Sequence, residues 1–493
     1  MEITAIRRPV LAESTYDAVV VGSGPNGLAA AITFARAKRS VLLLEAGETI
    51  GGGMRTKELT LPGFYHDVCA AIHPLALASP FFRSLDLTRF GLEWVHPPAP
   101  LAHPLDDDPA VLMERAIEDT AQGLGRDKDA YLRLLKPFVD QWQGLVGDLL
   151  KPLGIPMHPL TVLSFSLKGL LSARSLAERY FRDKRARALF AGNSCHSILP
   201  LEAMSSGAFG IMLSMVGHAV GWPMAKGGSQ SIANALASCF LSLGGEIEVD
   251  TQVSSIKDLP QSQVVLFDVS PRNLDRIVGD RFPKDYRQSL QGHRHGPGVF
   301  KVDWALDGPI PWKDSACLKA GTLHCGGTFE EIVTSERQVW EGASPERPFV
   351  LLSQPSLFDQ MRAPEGKHTA WAYCHVPNGC ETDMTHAIEE QVERFAPDFR
   401  KLIKAKHIMS PARIEEYNQN YIGGDIVGGV QSYRELFIRP LGRWQAYSTP
   451  LKGYYLCSAS MPPGGGVHGM CGHLAAKKAI KEVLSSFPKT KGR

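Results

Sequence analysis

Three glycines and one acidic residue near the start of the chain have the spacing of a dinucleotide-binding site. Gly22, Gly24 and Gly27 lie in the motif GSGPNG, and Glu45 follows about 20 residues later, as such sites require. The first glycine permits a tight turn, the second lets a pyrophosphate approach the backbone, and the third allows close packing of a helix. A carboxylate at Glu45 would accept hydrogen bonds from ribose hydroxyls and repel a 2′-phosphate. The cofactor-binding residues predicted within the motif are Gly22, Gly24, Pro25, Asn26 and Gly27.

The elements needed to position these residues flank them in the sequence. The apolar run 18–21 predicts a buried parallel strand, and the Ala- and Leu-rich stretch that ends at about Lys38 predicts a helix. A helix that begins at the glycine motif offers free N–H groups and a partial positive charge to phosphates. A second apolar run, 41–44, ends on Glu45. The sequence therefore predicts a complete strand–helix–strand unit, and this context makes the glycine motif a strong signal.

The loop that follows Glu45 indicates a long dinucleotide. Residues 46–56 (AGETIGGGMRT) combine glycines with an arginine and would wrap a second side of the ligand. From this loop we expect contacts by Ala46, Gly52, Gly53, Arg55 and Thr56.

A second glycine loop lies near the other end of the chain. Residues 454–469 (YYLCSASMPPGGGVHG) predict a strand and a loop, and a helix is expected over about 470–484. No second strand with an acidic tip follows, so this segment is not an independent dinucleotide unit. We expect it to fold back on the first unit. If the dinucleotide is FAD, the backbone N–H groups of Val467 and His468, which follow Gly466, would there stabilise negative charge on the reduced flavin ring.

These motifs resemble those of the flavin amine oxidase and phytoene desaturase superfamily, and most of all those of bacterial phytoene-desaturase-like oxidoreductases. The likeness is carried by GSGPNG with Glu45, by GGGMRT at 51–56, by WPMAKGG at 222–228 and by the closing PPGGGVHG. It implies an α/β fold in which a discontinuous Rossmann-like FAD-binding domain accompanies a mixed sheet-plus-helix substrate domain. It also implies that the backbone near Val253 meets the adenine. Many amine oxidases have an arginine directly after two glycines, whereas Gly53 and Met54 precede Arg55 here.

The resemblance and the hydrophobic pattern together divide the chain. We expect the FAD-binding domain to comprise 1–95, 223–290 and 440–493, and the substrate domain, with a helical insertion, to comprise 96–222 and 291–439. Helices are predicted over 127–150, 174–192 and 231–243, and strands over 246–249, 296–306 and 369–376. The apolar segments 160–171 and 207–224 are interpreted as packed core. Together they also suit an apolar substrate tunnel, or a helix that lies in a membrane surface.

Composition argues against several functions. The 53 basic and 51 acidic residues give a net charge of +2, which does not favour nucleic acid as a partner. The nine cysteines include no C-x-x-C pair, so neither a metal site nor a disulfide framework is expected. No uncharged run approaches the roughly 20 apolar residues of a membrane span. We therefore expect a cytoplasmic protein that is either soluble or lies on a membrane surface; its oligomeric state is unknown.

The resulting hypothesis is an FAD-dependent dehydrogenase or desaturase. It would transfer hydride to flavin N5 from an apolar isoprenoid- or lipid-like substrate, such as a carotenoid, with FAD held non-covalently. No catalytic side chain is predicted, since His293, His295, His324 and His375 are neither spaced as metal ligands nor tied to a nucleophile. Three alternatives stay open: redox-neutral isomerisation of a polyene, amine oxidation, and a flavin-holding scaffold without turnover.

Overall fold

The computed structural model describes residues 15–432, Glu435 and residues 446–486. The strands of these described parts are β1 (Tyr16–Val21), β2 (Val41–Leu44), β3 (Thr56–Glu58), β4 (Tyr65–Asp67), β5 (Trp94–Val95), β6 (Ala99–His103), β7 (Val111–Met113), β8 (Met224–Ala225), β9 (Glu246–Glu248), β10 (Ser262–Phe267), β11 (Gly298–Leu306), β12 (Ala320–Cys325), β13 (Val350–Ser353), β14 (His368–Val376), β15 (Ile403–Met409) and β16 (Tyr454–Leu456).

The α-helices of the same residues are α1 (Pro25–Arg36), α2 (Pro74–Ala78), α3 (Pro80–Arg83), α4 (Ile117–Gly123), α5 (Lys128–Val139), α6 (Trp142–Leu149), α7 (Pro159–Gly169), α8 (Ala173–Tyr180), α9 (Lys184–Cys195), α10 (Ser206–Val220), α11 (Gln230–Ser242), α12 (Pro271–Val278), α13 (Lys284–Gln291), α14 (Phe329–Trp340), α15 (Thr385–Phe395), α16 (Pro411–Tyr417) and α17 (Met470–Glu482).

A parallel five-stranded sheet is assembled from three distant parts of the chain. Its strand order is β16-β10-β1-β2-β9, so the two N-terminal strands lie between strands from the middle and the end of the sequence. Every residue of β1 and β2 is buried, as expected where helices cover both faces of a parallel sheet. Helices α1 and α17 pack so closely that a Cβ at Gly472 would lie 1.8 Å from the Asn26 carbonyl oxygen.

The second large sheet is a seven-stranded mixed sheet with the strand order β15-β11-β14-β13-β12-β6-β7. Its pairings are antiparallel except between β6 and β12. Alternate residues of a strand point to opposite faces. On one face, Leu352 and Ala372 belong to a core that includes Ile388 and Val392 of α15. The other face, which carries Leu351, Trp371 and Tyr373, is left to line a cavity.

The helices between β7 and β8 form a bundle around α10, which packs against α5, α7, α8 and α9. Helix α7 is covered on one side only, since Phe165 and Gly169 are buried whereas Leu160, Leu163 and Leu167 are exposed. The interpretation of 160–171 as packed core is therefore wrong for most of its leucines. The helix touches α10 through small residues, and this close contact leaves its opposite face in solvent.

The observed elements agree with the predicted fold class, and the α/β architecture with a Rossmann-like unit is confirmed. Two predicted helices are each divided: 127–150 becomes α5 and α6, and 174–192 becomes α8 and α9. Pro137 lies in the last turn of α5, where it marks the coming break. The strands of the five-stranded sheet lie at 16–44, 246–267 and 454–456, and the division into two domains at the boundaries given above remains a prediction.

Candidate active site

A single elongated cavity of about 640 Å³ joins the N-terminus of α1 to the seven-stranded sheet. This volume lies within the range of small-molecule sites. Its lining has two parts. The cradle is the part at the carboxyl ends of the parallel strands, and its main polar residues are Ser23, Asn26, Glu45, Arg55, Asp268 and Ser458. The apolar arm is the part between α10 and the seven-stranded sheet, and it is lined by His196, Phe209, Leu213, Trp222, Thr322, Leu351, Trp371 and Tyr373.

The glycines of the cradle are required by close approaches of the backbone. A Cβ at Gly27 would lie 1.9 Å from the carbonyl oxygen of Gly22, so α1 could not start so near β1 with any other residue. A Cβ at Gly24 would lie 2.8 Å from a carboxylate oxygen of Asp268 and would narrow the cavity. Gly22 has φ of 97°, a left-handed conformation that glycine adopts at no steric cost. These positions fit the roles predicted from the motif.

Glu45 is the centre of a buried hydrogen-bond network. Its Oε2 accepts a 2.9 Å bond from the Ser23 backbone N–H and a bond from the Ser23 hydroxyl, while Oε1 accepts from Gly47 N–H at 2.8 Å. The same Oε1 lies 3.1 Å from Nη2 of Arg55, which also donates through Nε to the Thr49 carbonyl oxygen. Glu45 thus ties the glycine turn to the loop that follows β2.

The charge of Arg55 is maintained although its side chain is buried. Burial opposes the charged form, but Tyr417 and Glu45 outweigh it, and the pKa of Arg55 is raised above its usual value. Tyr417 itself donates to the Gly52 carbonyl oxygen at 3.0 Å. The predicted contact of Arg55 with the dinucleotide stays a prediction.

Asp268 is the functional group that motif reasoning missed. It follows β10, next to the glycine turn, and its Oδ2 accepts a 2.8 Å hydrogen bond from Gly27 N–H. Separation from bulk water raises the pKa of this carboxyl to about 7; the Gly27 bond opposes the rise and the charge of Glu45 adds to it. A signal was present: the apolar run 262–267 ends on an acidic residue, as the run before Glu45 does.

Most of the predicted cofactor-binding residues line the cavity: Gly22, Gly24, Pro25, Asn26, Glu45, Ala46, Gly52, Gly53, Arg55, Val253, Gly466 and Val467. Three do not. Gly27 lies behind the cavity lining, in close contact with Gly22. The Thr56 hydroxyl donates to Asp67 Oδ1 at 2.7 Å instead of facing the cavity.

His468 is the third predicted residue outside the lining. Its N–H is donated to the Gly466 carbonyl oxygen at 3.0 Å, and its Nε2 lies 3.1 Å from the Gly464 carbonyl oxygen. The N–H of His468 is therefore already engaged within its own loop. This corrects the expectation that the N–H of His468 contacts a flavin. Val467 does line the cavity.

The cradle fits a dinucleotide on its own geometry. The start of α1 faces it, and free N–H groups at a helix N-terminus favour phosphate. Ser458, at the end of β16, has a buried hydroxyl without a hydrogen-bond partner in the described structure, as has the Asn26 side-chain oxygen. Buried polar atoms of this kind are normally satisfied, so a polar ligand is expected beside them.

Comparisons with known proteins agree with this geometry. Residues 20–85 match the model of the NAD(P)-binding Rossmann-like domain family. The mouse pyridine nucleotide-disulfide oxidoreductase domain-containing protein 2 is 24% identical, over 95% of this chain and 94% of its own length. The phytoene desaturase (neurosporene-forming) of Rhodobacter capsulatus is 23% identical, over 57% and 56%.

The fold is shared with solved structures of amine oxidases. A putrescine oxidase bound to putrescine superposes with a TM-score of 0.62 at 17% identity, covering 95% of this chain and all of that one. The resemblance predicted from the motifs is confirmed: the chain is similar to phytoene desaturases, it shares its fold with amine oxidases, and its residues 20–85 match a Rossmann-like domain. Among the described residues, no helix is long and apolar enough to span a bilayer.

Proposed function

We propose that this oxidoreductase, a relative of the phytoene desaturases, binds FAD non-covalently in the cradle and dehydrogenates an apolar substrate held in the arm. The observation that carries the proposal is the continuity of the cavity, which joins a dinucleotide cradle to an aromatic and aliphatic chamber. When bound, FAD would supply the hydride acceptor, at flavin N5, for conversion of two neighbouring C–H carbons into a double bond, and the second hydrogen would leave as a proton to solvent water.

Different residues of the cradle would hold different parts of the cofactor. The turn at Gly22 and Gly24 and the start of α1 would bind the pyrophosphate, and Glu45 would bind a ribose. The loop near Val253 would contact the adenine, as in the resemblance stated above. Arg55, already oriented by Glu45, would add a positive charge on the phosphate side. Cys457 is buried, which supports a non-covalent cofactor.

The arm supplies orientation and excludes water. The arm is lined by Phe209 and Leu213 of α10 and by Leu351, Trp371 and Tyr373 of the sheet, so that a substrate would meet apolar surface from both elements. Removal of bulk water strengthens the electrostatic interactions inside such a chamber. A neutral chamber of this kind suits the breaking of unactivated C–H bonds.

Two features of the arm disfavour amine oxidation. Its lining residues include no carboxylate that could hold an ammonium group. The rings of Trp371 and Tyr373 are nearly parallel, but their centroids are only 6.0 Å apart. A ligand held between two rings would need about 7–8 Å, at 3.5–4.0 Å for each carbon contact. The two rings are thus part of the packed cavity wall and do not form an open aromatic cage.

The cofactor assignment is tested by heating the purified protein and analysing the supernatant by chromatography. FAD should be released at about one equivalent per chain. Release of FMN, or colour retained in the precipitate, would contradict the assignment.

Turnover is tested by anaerobic addition of an extracted isoprenoid and lipid fraction, with the flavin absorbance recorded. Bleaching together with a product two hydrogens lighter supports dehydrogenation. A product of unchanged mass indicates isomerisation, and no spectral change with any fraction indicates a scaffold.

We further propose that the substrate enters from a membrane surface that α7 contacts. Leu160, Leu163 and Leu167 form a stripe at helical spacing and are 81%, 56% and 65% exposed. The loop before α7 adds Ile155 and Met157, which are also exposed. Lys168 is the one charged residue of α7, and its positive charge suits an anionic lipid surface, whereas Lys151 and Arg174 beside the helix are paired with Asp148 and Glu178. Gly169 of α7 contacts Ala208, next to Phe209 of the arm, so the stripe lies one helix away from the cavity.

Sedimentation with vesicles of phosphatidylcholine and phosphatidylglycerol tests this contact. The triple variant Leu160→Ser, Leu163→Ser, Leu167→Ser should lose at least about a hundredfold in vesicle affinity, because each leucine gives up several buried methylene groups. Met361→Ser removes an exposed apolar side chain outside α7 and serves as the control. Equal binding by the triple variant and the control would contradict membrane contact through α7.

A further inference from the structure

The apolar arm is unusual because two of its buried polar atoms lack a protein partner. Trp371 Nε1 and Thr322 Oγ1 are buried, with 6% and 2% residual exposure of their residues, and neither makes a hydrogen bond within the described structure. Both residues line the arm. Buried donors are nearly always satisfied in folded proteins, so these two are expected to meet a ligand or the water that it displaces.

The two groups lie in one row across the sheet. Trp371 pairs with Ser353 on β13, and the pairing of Leu323 with Leu352 continues the register so that Thr322 lies beside Ser353. Residues in register across an antiparallel sheet point to the same face. The Ser353 hydroxyl is engaged, since it donates to the Gly321 carbonyl oxygen at 2.7 Å. The row therefore presents two free donors separated by about two strand spacings, or about 10 Å between backbones.

A histidine pair supplies the third donor. His196 Nε2 and His324 Nε2 are 3.1 Å apart. His324 Nδ1 has no partner and packs against α9, where a Cβ at Gly192 would lie 2.4 Å from it. A proton on that nitrogen would be buried without an acceptor, so His324 carries its proton on Nε2 and donates it to His196.

The consequence for His196 is a fixed tautomer. Burial lowers the pKa of His196 to about 3, with a further contribution from His375, and it lowers the pKa of His324 well below the usual value. Both rings are therefore neutral at pH 7. Because its Nε2 accepts from His324, His196 carries its own proton on Nδ1, and His196 lines the arm.

The arm thus offers three neutral donors, and its lining residues include no carboxylate. A pure hydrocarbon would leave all three unsatisfied, and an alkylammonium would bring further donors to a site that already has a surplus of them. Only a ligand with hydrogen-bond acceptors complements this set. A carbonyl oxygen is acceptor-only and has two lone pairs.

We propose that the natural substrate is an apolar molecule that carries one or more carbonyl oxygens, each of which accepts from one or two of the donors Trp371 Nε1, Thr322 Oγ1 and His196 Nδ1. The proposal rests on the function proposed above, because it takes the arm to be the substrate site. It narrows the substrate class from hydrocarbon-like molecules in general to oxygenated ones.

The test uses three probes of equal chain length: 2-undecanone, undecane and undecylamine. Their binding to the purified holoprotein is measured by calorimetry. The ketone should bind at least about tenfold more tightly than the alkane, because its oxygen accepts hydrogen bonds from donors that the alkane leaves without a partner. Trp371→Phe keeps the aromatic surface and removes Nε1–H, and should lower the ketone's advantage about tenfold while alkane binding is unchanged. Trp142→Phe, on α6 outside the cavity lining, is the matched control.

Equal affinities for ketone and alkane in the wild type would overturn the proposal, as would amine binding tighter than ketone binding. A ketone preference that survives in both Trp371→Phe and Thr322→Val would also overturn it. The FAD content of each preparation separates the two hypotheses. A preparation that holds FAD but shows no ketone preference refutes the carbonyl assignment alone. A protein that prefers the ketone but binds no FAD refutes the cofactor assignment alone.

Discussion

The two parts of the cavity differ in the polar groups that they satisfy within the protein. In the cradle, the carboxylate of Glu45 has partners on Ser23, Gly47 and Arg55, and all of them belong to the protein. In the apolar arm, Trp371 Nε1 and Thr322 Oγ1 have none within the described residues. The Glu45 network holds the cradle in shape before any ligand arrives, although the Ser458 hydroxyl and the Asn26 side-chain oxygen are left without protein partners there. The donors of the arm have no such network, and their hydrogen bonding is left to the ligand.

Because of this difference, substitutions in the two parts of the cavity should affect different properties of the protein: its stability in the cradle and its choice of ligand in the arm. Substitutions in the cradle should reduce the free energy of unfolding and cofactor binding together, because the same bonds serve both. Substitutions of the free donors in the arm should affect ligand choice with little effect on folding. Each of the following experiments would sharpen that contrast or remove it.

The largest effect is expected for Glu45→Ala. Removal of the carboxylate leaves the Arg55 guanidinium buried without its ionic partner and should lower the free energy of unfolding by about 3–5 kcal/mol. Urea unfolding and FAD content per chain are the measurements. Glu48→Ala, an exposed position of the same loop, should leave both unchanged. A wild-type unfolding midpoint for the Glu45 variant would show that the network does not hold the loop.

A smaller effect is expected from Asp268, and it depends on pH. Its carboxyl has a pKa of about 7, so it is neutral at pH 6 and charged at pH 8. The charge develops beside Gly24 and Gly27, where the pyrophosphate is proposed to bind, and would repel it. The affinity for FAD should therefore fall about tenfold as pH rises from 6 to 8, a change of about 1.4 kcal/mol.

Asp268→Asn should abolish this pH dependence, because the amide can still accept from Gly27 N–H and never ionises. Fluorescence titration of the apoprotein with FAD at the two pH values measures it. Identical pH profiles for the variant and the wild type would mean that Asp268 does not face the phosphates.

The smallest change in stability is expected for Thr322→Val. An unpartnered buried hydroxyl contributes nothing to folding, so its replacement should change the free energy of unfolding by less than about 0.5 kcal/mol or raise it. The matched variant is Thr120→Val, because the Thr120 hydroxyl accepts from Glu114 N–H at 2.8 Å and is equally buried. That variant should lose about 1–3 kcal/mol. Equal losses in the two variants would mean that Thr322 has a partner after all.

The cradle could be predicted from the sequence because its chemistry depends on backbone approach. Only glycine tolerates the contact between Gly22 and Gly27, so the requirement appears as a residue type at fixed spacing. Asp268 was missed although it follows an apolar strand, because its place beside β1 depends on a pairing between strands some 240 residues apart. His468 was overestimated because its loop bonds to its own carbonyl groups, a local geometry that glycine spacing does not specify.

The apolar arm could not be predicted residue by residue. Trp371, Thr322 and His196 come from three separate elements, and they meet only because the register across β12, β13 and β14 aligns them beside α9. The sequence predicts no role for His324, because nothing in the sequence distinguishes it from a histidine of the packed core. The exposed leucines of α7 have helical spacing, but an apolar helical stripe in a sequence predicts core more often than surface.

The origin of the five-stranded sheet in three chain segments fixes an order of events during protein synthesis. The seven-stranded sheet that builds the arm is complete once β15 has emerged, at residue 409. The cradle must wait for β16, which is made about 430 residues after β1 and therefore some 20–90 s later at usual elongation rates. Until then β10 is an open sheet edge and α1 lacks α17 against its side. In a nascent chain the strands that line the apolar arm are therefore made before the last strand of the cradle, so the proposed cofactor site is the later of the two to be completed.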